Sequence, residues 1–534
     1  MAFTLMPSCN LISGRRFKER WRGMFSTRKA VLIKLPLFIL CTICLAALVV
    51  FFLVHRSFSR AALKTGLEEA ISGQAEIGAF HSRYFPPGCV AEGVSLRQGS
   101  QPGPPLIVVA KLSIRSTLAG LISGRRVSMR ADGMRVSVPA SGSREPIKLS
   151  SHSNVRIIEF TAENSVLEIG RSDKQPLRFL VHELKLHNIA TGSRLLFNVR
   201  LTNPEPPGEI SASGEFGRWN ARDFGKTPLG GEYQFQRADL GVFKGIRGEL
   251  FSRGRFTGIL ERIGVRGDTD TPDFQVKSST HAVDLRTRFQ ALVDAKNGDT
   301  QLQEVQSHFW NTTVQSQGSV ARRAGQKGKE AVIHMASSAG RIQDLLRLFI
   351  KSPRAPMDGV VSFRATATIP PGKTPFLKKV TLTGDFGIDE GNFKPRTQEK
   401  VNKLSAGARG EKGEEKDGAD LQTVLTNLKG HVALSNGIAK FSHLSFTMLG
   451  ASAQLDGSYN VITEKIDLHG VLRTDAELAN TVHGPKALFL KVLDRFFKKK
   501  HAGYIAPVKI TGTYDHPSFG LDLSGKHQHH ASGE

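Results

Sequence analysis

The residues able to do chemistry are few and scattered. Four cysteines, Cys9, Cys41, Cys44 and Cys89, are spread through 534 residues. Cys41 and Cys44 have the C-x-x-C spacing of a zinc knuckle or a redox pair, but they lie inside an uncharged apolar run, where they read as small apolar residues. Cys9 precedes that run and Cys89 alone follows it, so no intrachain disulfide is expected beyond it. The basic glycine run Gly325-Gln326-Lys327-Gly328-Lys329 lacks both the spacing and the final Ser or Thr of a phosphate-binding loop. There is no H-E-x-x-H zinc helix and no G-x-S-x-G nucleophile elbow. His527, His529 and His530 can hold a metal weakly, but a solvated tail is the plainer reading. The expectation is a protein that is not an enzyme, with no catalytic residue, no metal and no cofactor.

The elements that would position any site begin with the apolar run. Leu35 to Val54 reads LPLFILCTICLAALVVFFLV, 20 residues without a charge. At 1.5 Å per residue that is about 30 Å of helix, the thickness of a hydrocarbon core. Leu35, Leu40, Leu45, Val50 and Val54 are its expected anchor residues. Large side chains run straight into His55-Arg56, with no small-residue cleavage site, so an uncleaved anchor fits better than a signal peptide. Residues 1–34 carry eight Lys or Arg against one Glu. The positive-inside rule therefore keeps the N-terminus cytoplasmic and exports residues 55–534. The whole chain has a formal net charge of +25. A basic protein invites nucleic acid as a partner, but an exported one never meets the genome, and anionic lipid head groups are the nearer acidic surface.

Most of residues 90–524 reads as short strands. In His431–Met448, Val432 and Leu434 alternate with polar neighbours, Asn436-Gly437 gives a two-residue type I′ turn, and Leu444, Phe446 and Met448 form the return strand. Ala453, Leu455 and Tyr459, then Ile466 and Leu468, continue the alternation. Glycines two residues before an aromatic recur, as in Gly214-Glu215-Phe216, Gly231-Glu232-Tyr233, Gly254-Arg255-Phe256 and Gly384-Asp385-Phe386. Strand-interior glycines mark bulges or bends, so a long sheet bent along one line is expected, with ordinary sandwich packing as the alternative. Short helices are expected at Arg60–Ser72, Thr117–Ser123 and Arg341–Ile350. Pro485–Lys500 is a basic amphipathic helix in which Phe489, Phe496, Phe497 and Lys498 can lie in a membrane interface or cap the sheet.

With an anchor followed by glycine-punctuated strands, the chain resembles the AsmA family of bacterial envelope proteins. The likeness begins with LEEAISGQAEIGAFHSRYFPPGCVAEGVSL (67–96) and LIVVAKLSIRSTLAGLISGRRVSMRADGMRVSVP (106–139). It continues through HFWNTTVQSQGSV (308–320) and MDGVVSFRATATIPPGKTPFLKKVTLTGDFGIDEGNF (357–393), and ends with the stretch from LKGHVALSNGIAKFSHLSFTM to VKITGTYDHPSFGLDL. These are loose hydrophobic and glycine patterns, and residues 220–300 carry the least of them. The resemblance implies a relative of bridge-like lipid transporters: an anchored, periplasmic, mainly β protein whose elongated, curled antiparallel sheet forms an apolar trough.

The expected organisation is a basic cytoplasmic tail (1–34), a membrane helix (35–54), an N-terminal AsmA-like region (55–140), a central β-rich region (141–404), a charged linker (405–425), an AsmA-like C-terminal region (426–524) and a disordered tail (525–534). About 30 strands at 4.8 Å would stack to at most about 145 Å. The groove candidates are Leu434, Phe446, Leu455, Leu468 and Ile510. The expected function is phospholipid transport or outer-membrane assembly and homeostasis from the bacterial inner membrane. Its expected partners are phospholipid or another envelope lipid, the inner membrane and outer-membrane assembly proteins. The alternative is a periplasmic scaffold that binds envelope proteins without carrying lipid.

Overall fold

The computed structural model describes residues 44–45, 47–98, 104–122, 126–138, 156–171, 174–189, 194–217, 223–243, 245–277, 279, 281–323, 325–326, 328–350, 354–355, 357–372, 374–393, 426–448, 451–474, 505–513 and 516–522. Leu35 and Leu40 of the expected anchor, the charged linker, the amphipathic helix with Phe489, Phe496, Phe497 and Lys498, and the histidine tail lie outside these residues. Residues 44–45 and 47–57 are helical (α1), and among the described residues no helix is long and apolar enough to cross a membrane.

The described chain is mainly β, one open sheet of 25 strands with few helices. After α2 (Arg60–Ile71), the first strands are β1 (Gly73–Glu76), β2 (Ala79–Tyr84), β3 (Pro87–Gln98), β4 (Ile107–Ser116) and, past α3 (Leu118–Ile122), β5 (Arg126–Val138). The middle runs β6 (Arg156–Arg171), β7 (Lys174–His187), β8 (Leu195–Pro204), β9 (Pro207–Phe216), β10 (Pro228–Asp239), β11 (Ile246–Arg247), β12 (Glu249–Ile259), β13 (Arg262–Val276), β14 (Val283–Val293), β15 (Thr300–Phe309), β16 (Thr312–Arg322) and β17 (Lys329–Arg341). Then follow α4 (Ile342–Arg347), β18 (Met357–Ile369), α5 (Phe376–Lys379), β19 (Thr381–Phe393), β20 (Thr426–Ser435), β21 (Ile438–Met448), β22 (Ala451–Asn460), β23 (Lys465–Thr474), β24 (Ile505–Thr513) and β25 (Pro517–Leu521).

Each strand from β3 onward pairs with the next in sequence, except that the two-residue β11 lies beside β13 and β10 pairs with β12. β1 and β2 share one edge along β3, and β25 on β24 is the other. Among the described residues all pairings are antiparallel but one: β5 and β6 run parallel, from Arg126↔Arg156 to Val138↔Ile169 with one register shift after Val127. This departs from the all-antiparallel expectation. Residues 139–155 between them are long enough for the crossover that a parallel pair needs and a hairpin does not.

Directly paired residues share a face of the sheet, so one row can be followed from edge to edge. Starting at Phe80, it passes Ala91, Leu112, Ala131, Ala162, Leu184, Val199 and Ala212. It continues through Tyr233, Gly254, Gly267, Phe289, Val305, Ser316, Met335 and Ala365. It ends through Gly384, Val432, Phe441, Gly457, Leu468, Ile510 and Phe519. None of these residues is charged. The neighbouring row, on the opposite face, runs Ser113, Arg130, Thr161, Lys185, Asn198, Ser213, Glu232, Arg255. One face is apolar along the whole sheet, and the other carries cross-strand ion pairs such as Arg255–Glu232 at 2.9 Å and Arg288–Asp268 at 3.3 Å.

The glycine–aromatic repeats have their reason in this register. Gly214 faces Phe197, Gly231 faces Phe256, Gly254 faces Tyr233 and Gly267 faces Phe289, each on an adjacent strand. A methyl group at Gly254 would stand 2.9 Å from Tyr233 Cε1, and one at Gly231 2.8 Å from Phe256 Cζ. The ring therefore lies over the bare backbone of its neighbour, the arrangement known to rescue a glycine in a strand. Bulges add bends: Arg237, at φ 51°, sits in the register shift between Phe235 and Ala238. The sheet turns far enough that Gly245, between β10 and β11, lies directly against the side chain of Phe376 in α5, between β18 and β19.

Two helical segments cover parts of the apolar face. At the N-terminal end, Val54 of α1, Phe58 just after it and Ile71 of α2 pack on Ala91, Val94, Leu112, Val127 and Ala162 in a filled core. The Ser59 hydroxyl caps α2 by accepting the Ala62 amide at 3.2 Å. Cys89 is buried in this core, and burial pushes its thiol up to about 12, which makes it an inert packing group. Farther along, α4 lays Ile342 and Leu345 against Val361, Ile388 and Leu428, and Leu345 also against Val283, Phe309 and Val314. Asp344 fixes α4: its Oδ2 accepts from the Asn311 amide at 3.0 Å and from Thr312 Oγ1 at 2.9 Å. Ser279 Oγ donates to the Arg347 carbonyl at 2.8 Å and ties the end of α4 to the β13–β14 connection.

Candidate functional site

Beyond α4 the apolar face is left with space over it. From β13 to β25 its side chains surround an open hollow of about 940 Å³. The walls follow from strand register. Phe446, Ala453, Leu472 and Ala506 form one row; Leu444, Leu455, Val508 and Leu521 belong to the next, with Gly470 between Leu455 and Val508. Leu468, Ile510 and Phe519 form a third, completed by Gly457. The α4 side brings Leu345, Leu348, Phe349 and Ile350 to the near end.

Of the five groove candidates, Phe446, Leu455, Leu468 and Ile510 line this hollow. They are not equivalent. Leu455 is 2% exposed and acts as floor, whereas Phe446, Leu468 and Ile510 are half-buried and present apolar surface to the open space. Leu434 shares their face, because its direct partner Leu382 lines the hollow, but Leu434 itself lies outside the wall, toward the β20–β21 turn. Alternation identified the face in every case, but it carries no information on how far the open space extends along a strand.

Some of the residues that sequence reasoning missed come from outside the regular strands. Leu348, Phe349 and Ile350 follow a helix of six residues, and nothing in their spacing marks the face they would cover. The rings of Phe386 and Phe441, which meet edge-on with centroids 6.2 Å apart, are also part of the wall. A signal for them was present: both sit in strands whose alternate residues are apolar.

Charge is kept off this surface. Asp385 and Lys509 border the hollow, but by register both belong to the polar face, where His431 Nδ1 bonds Asp385 Oδ1 at 2.7 Å and Lys509 stands opposite His469. His469 bonds Asp522 Oδ2 through Nδ1 at 2.7 Å and Asp467 Oδ1 through Nε2 at 2.8 Å. The bond to Asp522, seconded by Asp467, raises its pKa above the ordinary histidine value. The two carboxylates sit on opposite ring nitrogens and do not converge on a common point. Among the described residues no trio of His, Cys, Asp or Glu is placed to hold a metal ion.

The hollow therefore offers extended apolar contact, interrupted by the hydroxyls of Ser307, Ser316 and Tyr459. That suits a flexible hydrocarbon better than a compact metabolite. Of the anchor residues, Leu45 is 63% exposed, Val50 is half-buried, and Val54 is fully buried in the N-terminal core. Leu48, Val49, Phe51 and Phe52 leave an exposed apolar side on α1.

In comparisons with known proteins, no family model, no curated protein and no solved structure matches this chain.

Proposed function

We propose that this chain is a membrane-anchored carrier of lipid acyl chains. It holds them against the apolar face of its sheet, in support of phospholipid transport or outer-membrane assembly in a bacterial envelope. The observation that carries the reading is the uncharged row from Phe80 to Phe519, ending in an open hollow walled by Phe446, Leu468, Ile510 and Phe519. Burying a methylene is worth about 0.8 kcal/mol, so a chain of about fifteen carbons exposed to water costs on the order of 12 kcal/mol. A continuous apolar surface offsets that cost at every step of a passage between membranes. The uncharged run from Leu35 to Val54 and the basic residues before it support a single pass through the inner membrane, with the N-terminus cytoplasmic and the bulk periplasmic. A trough-like curl of the sheet and membership of the AsmA family belong to the same proposal.

The test is lipid analysis of the full chain, purified in a detergent that exchanges slowly, with lipid counted by mass spectrometry. The wild-type protein retains phospholipid, and Phe446→Glu and Leu468→Glu each lower the lipid-to-protein ratio by more than half. Lys440→Glu, on the opposite face, leaves it unchanged. A lipid-free wild type, or equal loading in the Glu variants, overturns the proposal. A second reading, a scaffold that pairs envelope proteins to its sheet edges, draws on the open edge of β25, which pairs only with β24 among the described residues. A lipid-free particle that captures an extended segment along β25 would favour it.

A further inference from the structure

We infer that the polar face of the sheet carries a binding site for phosphate, independent of the apolar hollow, which lies on the other face and mostly over later strands. The site is a shallow depression of about 920 Å³ over β7 to β14, with Glu183 of β7 at its margin. Its centre is built by register. Arg255 on β12 stands directly opposite Arg266 on β13, and two residues along, Arg253 stands opposite Asp268, whose other direct partner is Arg288 on β14.

Like charges placed directly opposite each other destabilise a sheet, and Arg200 on the same face is directly opposite Glu183 and contacts it. Here the neutralisation is incomplete. Arg255 Nε donates to Glu232 Oε1 at 2.9 Å and Arg288 Nε donates to Asp268 Oδ1 at 3.3 Å. Arg253 and Arg266, diagonal neighbours on adjacent strands, have no hydrogen-bond or ion-pair partner among the described residues. Four guanidinium groups thus share two carboxylates, and the two unpartnered forks lie side by side.

The surroundings fit an anion with several acceptor oxygens. Ser211, Ser213, Gln234 and Gln290 line the same depression and supply neutral donors. The floor is the bare backbone of Gly254 and Gly267, backed from the far side by the rings of Tyr233 and Phe289. A planar guanidinium matches phosphate oxygens in a bidentate fork, which a lysine at these positions would not do. The ligand chemistry is a phosphate group, borne either by a soluble molecule or by a lipid headgroup. A headgroup bound here belongs to a lipid other than one lying in the hollow, which opens on the opposite face.

The test uses the full chain in neutral-detergent micelles at low ionic strength, where exposed charges are least screened. Inorganic phosphate is titrated by calorimetry, and in a parallel arm the micelles are doped with phosphatidic acid. Arg253→Gln/Arg266→Gln weakens binding of the preferred probe by about tenfold or more, the loss expected when charge-assisted hydrogen bonds are removed. Arg364→Gln/Lys440→Gln removes the same charge elsewhere on the polar face and leaves binding unchanged. All four positions are exposed, so neither double variant threatens the fold, and a melting curve checks this. Tighter retention of phosphatidic acid than of inorganic phosphate identifies a membrane source, and equal affinity identifies a soluble one. Equal binding by wild type and Arg253→Gln/Arg266→Gln, or an equal loss in the control variant, overturns the site.

Discussion

The two ends of the sheet carry the same apolar face and use it differently. Over β3 to β5 the face is covered by α2 and the residues around Val54 and Phe58, and Ala91, Val94, Leu112 and Ala131 are all buried. Over β21 to β25 the corresponding row of Gly457, Leu468, Ile510 and Phe519 has no helix on it among the described residues, and its large side chains stay half-buried around open space. The strand pattern alone does not decide between core and cavity. What decides is whether a connecting segment folds back over the face, as α2 does at one end and α4 does part-way along.

The largest effect that would sharpen this contrast is in packing. Leu112→Ala, in the filled end, is expected to cost about 2–5 kcal/mol, because it removes buried area and leaves a cavity. Leu468→Ala, in the open end, is expected to cost under about 1.5 kcal/mol, since the side chain is already half in solvent. Chemical denaturation of the two variants compares them, and equal losses would mean that the C-terminal end is as filled as the other. Next in size is the anchor of α4. Asp344→Ala leaves the Asn311 amide and Thr312 hydroxyl without their acceptor and should cost about 1–3 kcal/mol. Hydrogen exchange should rise in residues 341–350 while β3 and β4 keep their protection. Uniform loss across the chain would break the idea that α4 is a local cover.

The smallest effect concerns the far edge. His469 joins β23 to Asp522 just beyond β25, and its raised pKa fixes the sign of the pH dependence. Its contribution is complete below the unfolded histidine value of about 6.5 and is lost as pH rises through the folded value. The C-terminal edge is therefore expected to loosen on going from mildly acid to alkaline pH. Exchange rates in β25 should show this in the wild type and lose their pH dependence in His469→Gln beyond the intrinsic change of amide chemistry. Asp456, Asp467 and Lys509 face the same ring by register or contact. A stability that rises with pH would refute the assignment.

Much of the fold was legible because its signals are local. Asn436-Gly437 reads as a two-residue turn, and both residues have the positive φ, 51° and 76°, that such a turn requires. Alternation placed Phe446, Leu455, Leu468 and Ile510 on one face because side chains in a strand have a period of two. The glycine–aromatic repeat was visible, but its meaning was not, because Tyr233 covers Gly254 through a register set by strand pairing rather than by spacing in sequence. The parallel β5–β6 junction was hidden for the same reason. The cover formed by Leu345 to Ile350 depends on Asp344 meeting the Asn311–Thr312 turn, a contact between segments with no common pattern. The pairing of Arg255 with Arg266 likewise appears only when register is known.

The meander has a consequence for how the molecule comes into being. Nearly every strand finds its mate in the segment made just before it, so the chain never has to search distant sequence for a partner, and loop-closure costs stay small throughout. A polypeptide emerging N-terminus first can add one rung at a time to a template already standing. The same arrangement lets evolution lengthen or shorten the molecule by a hairpin near its free end without rethreading anything that came earlier.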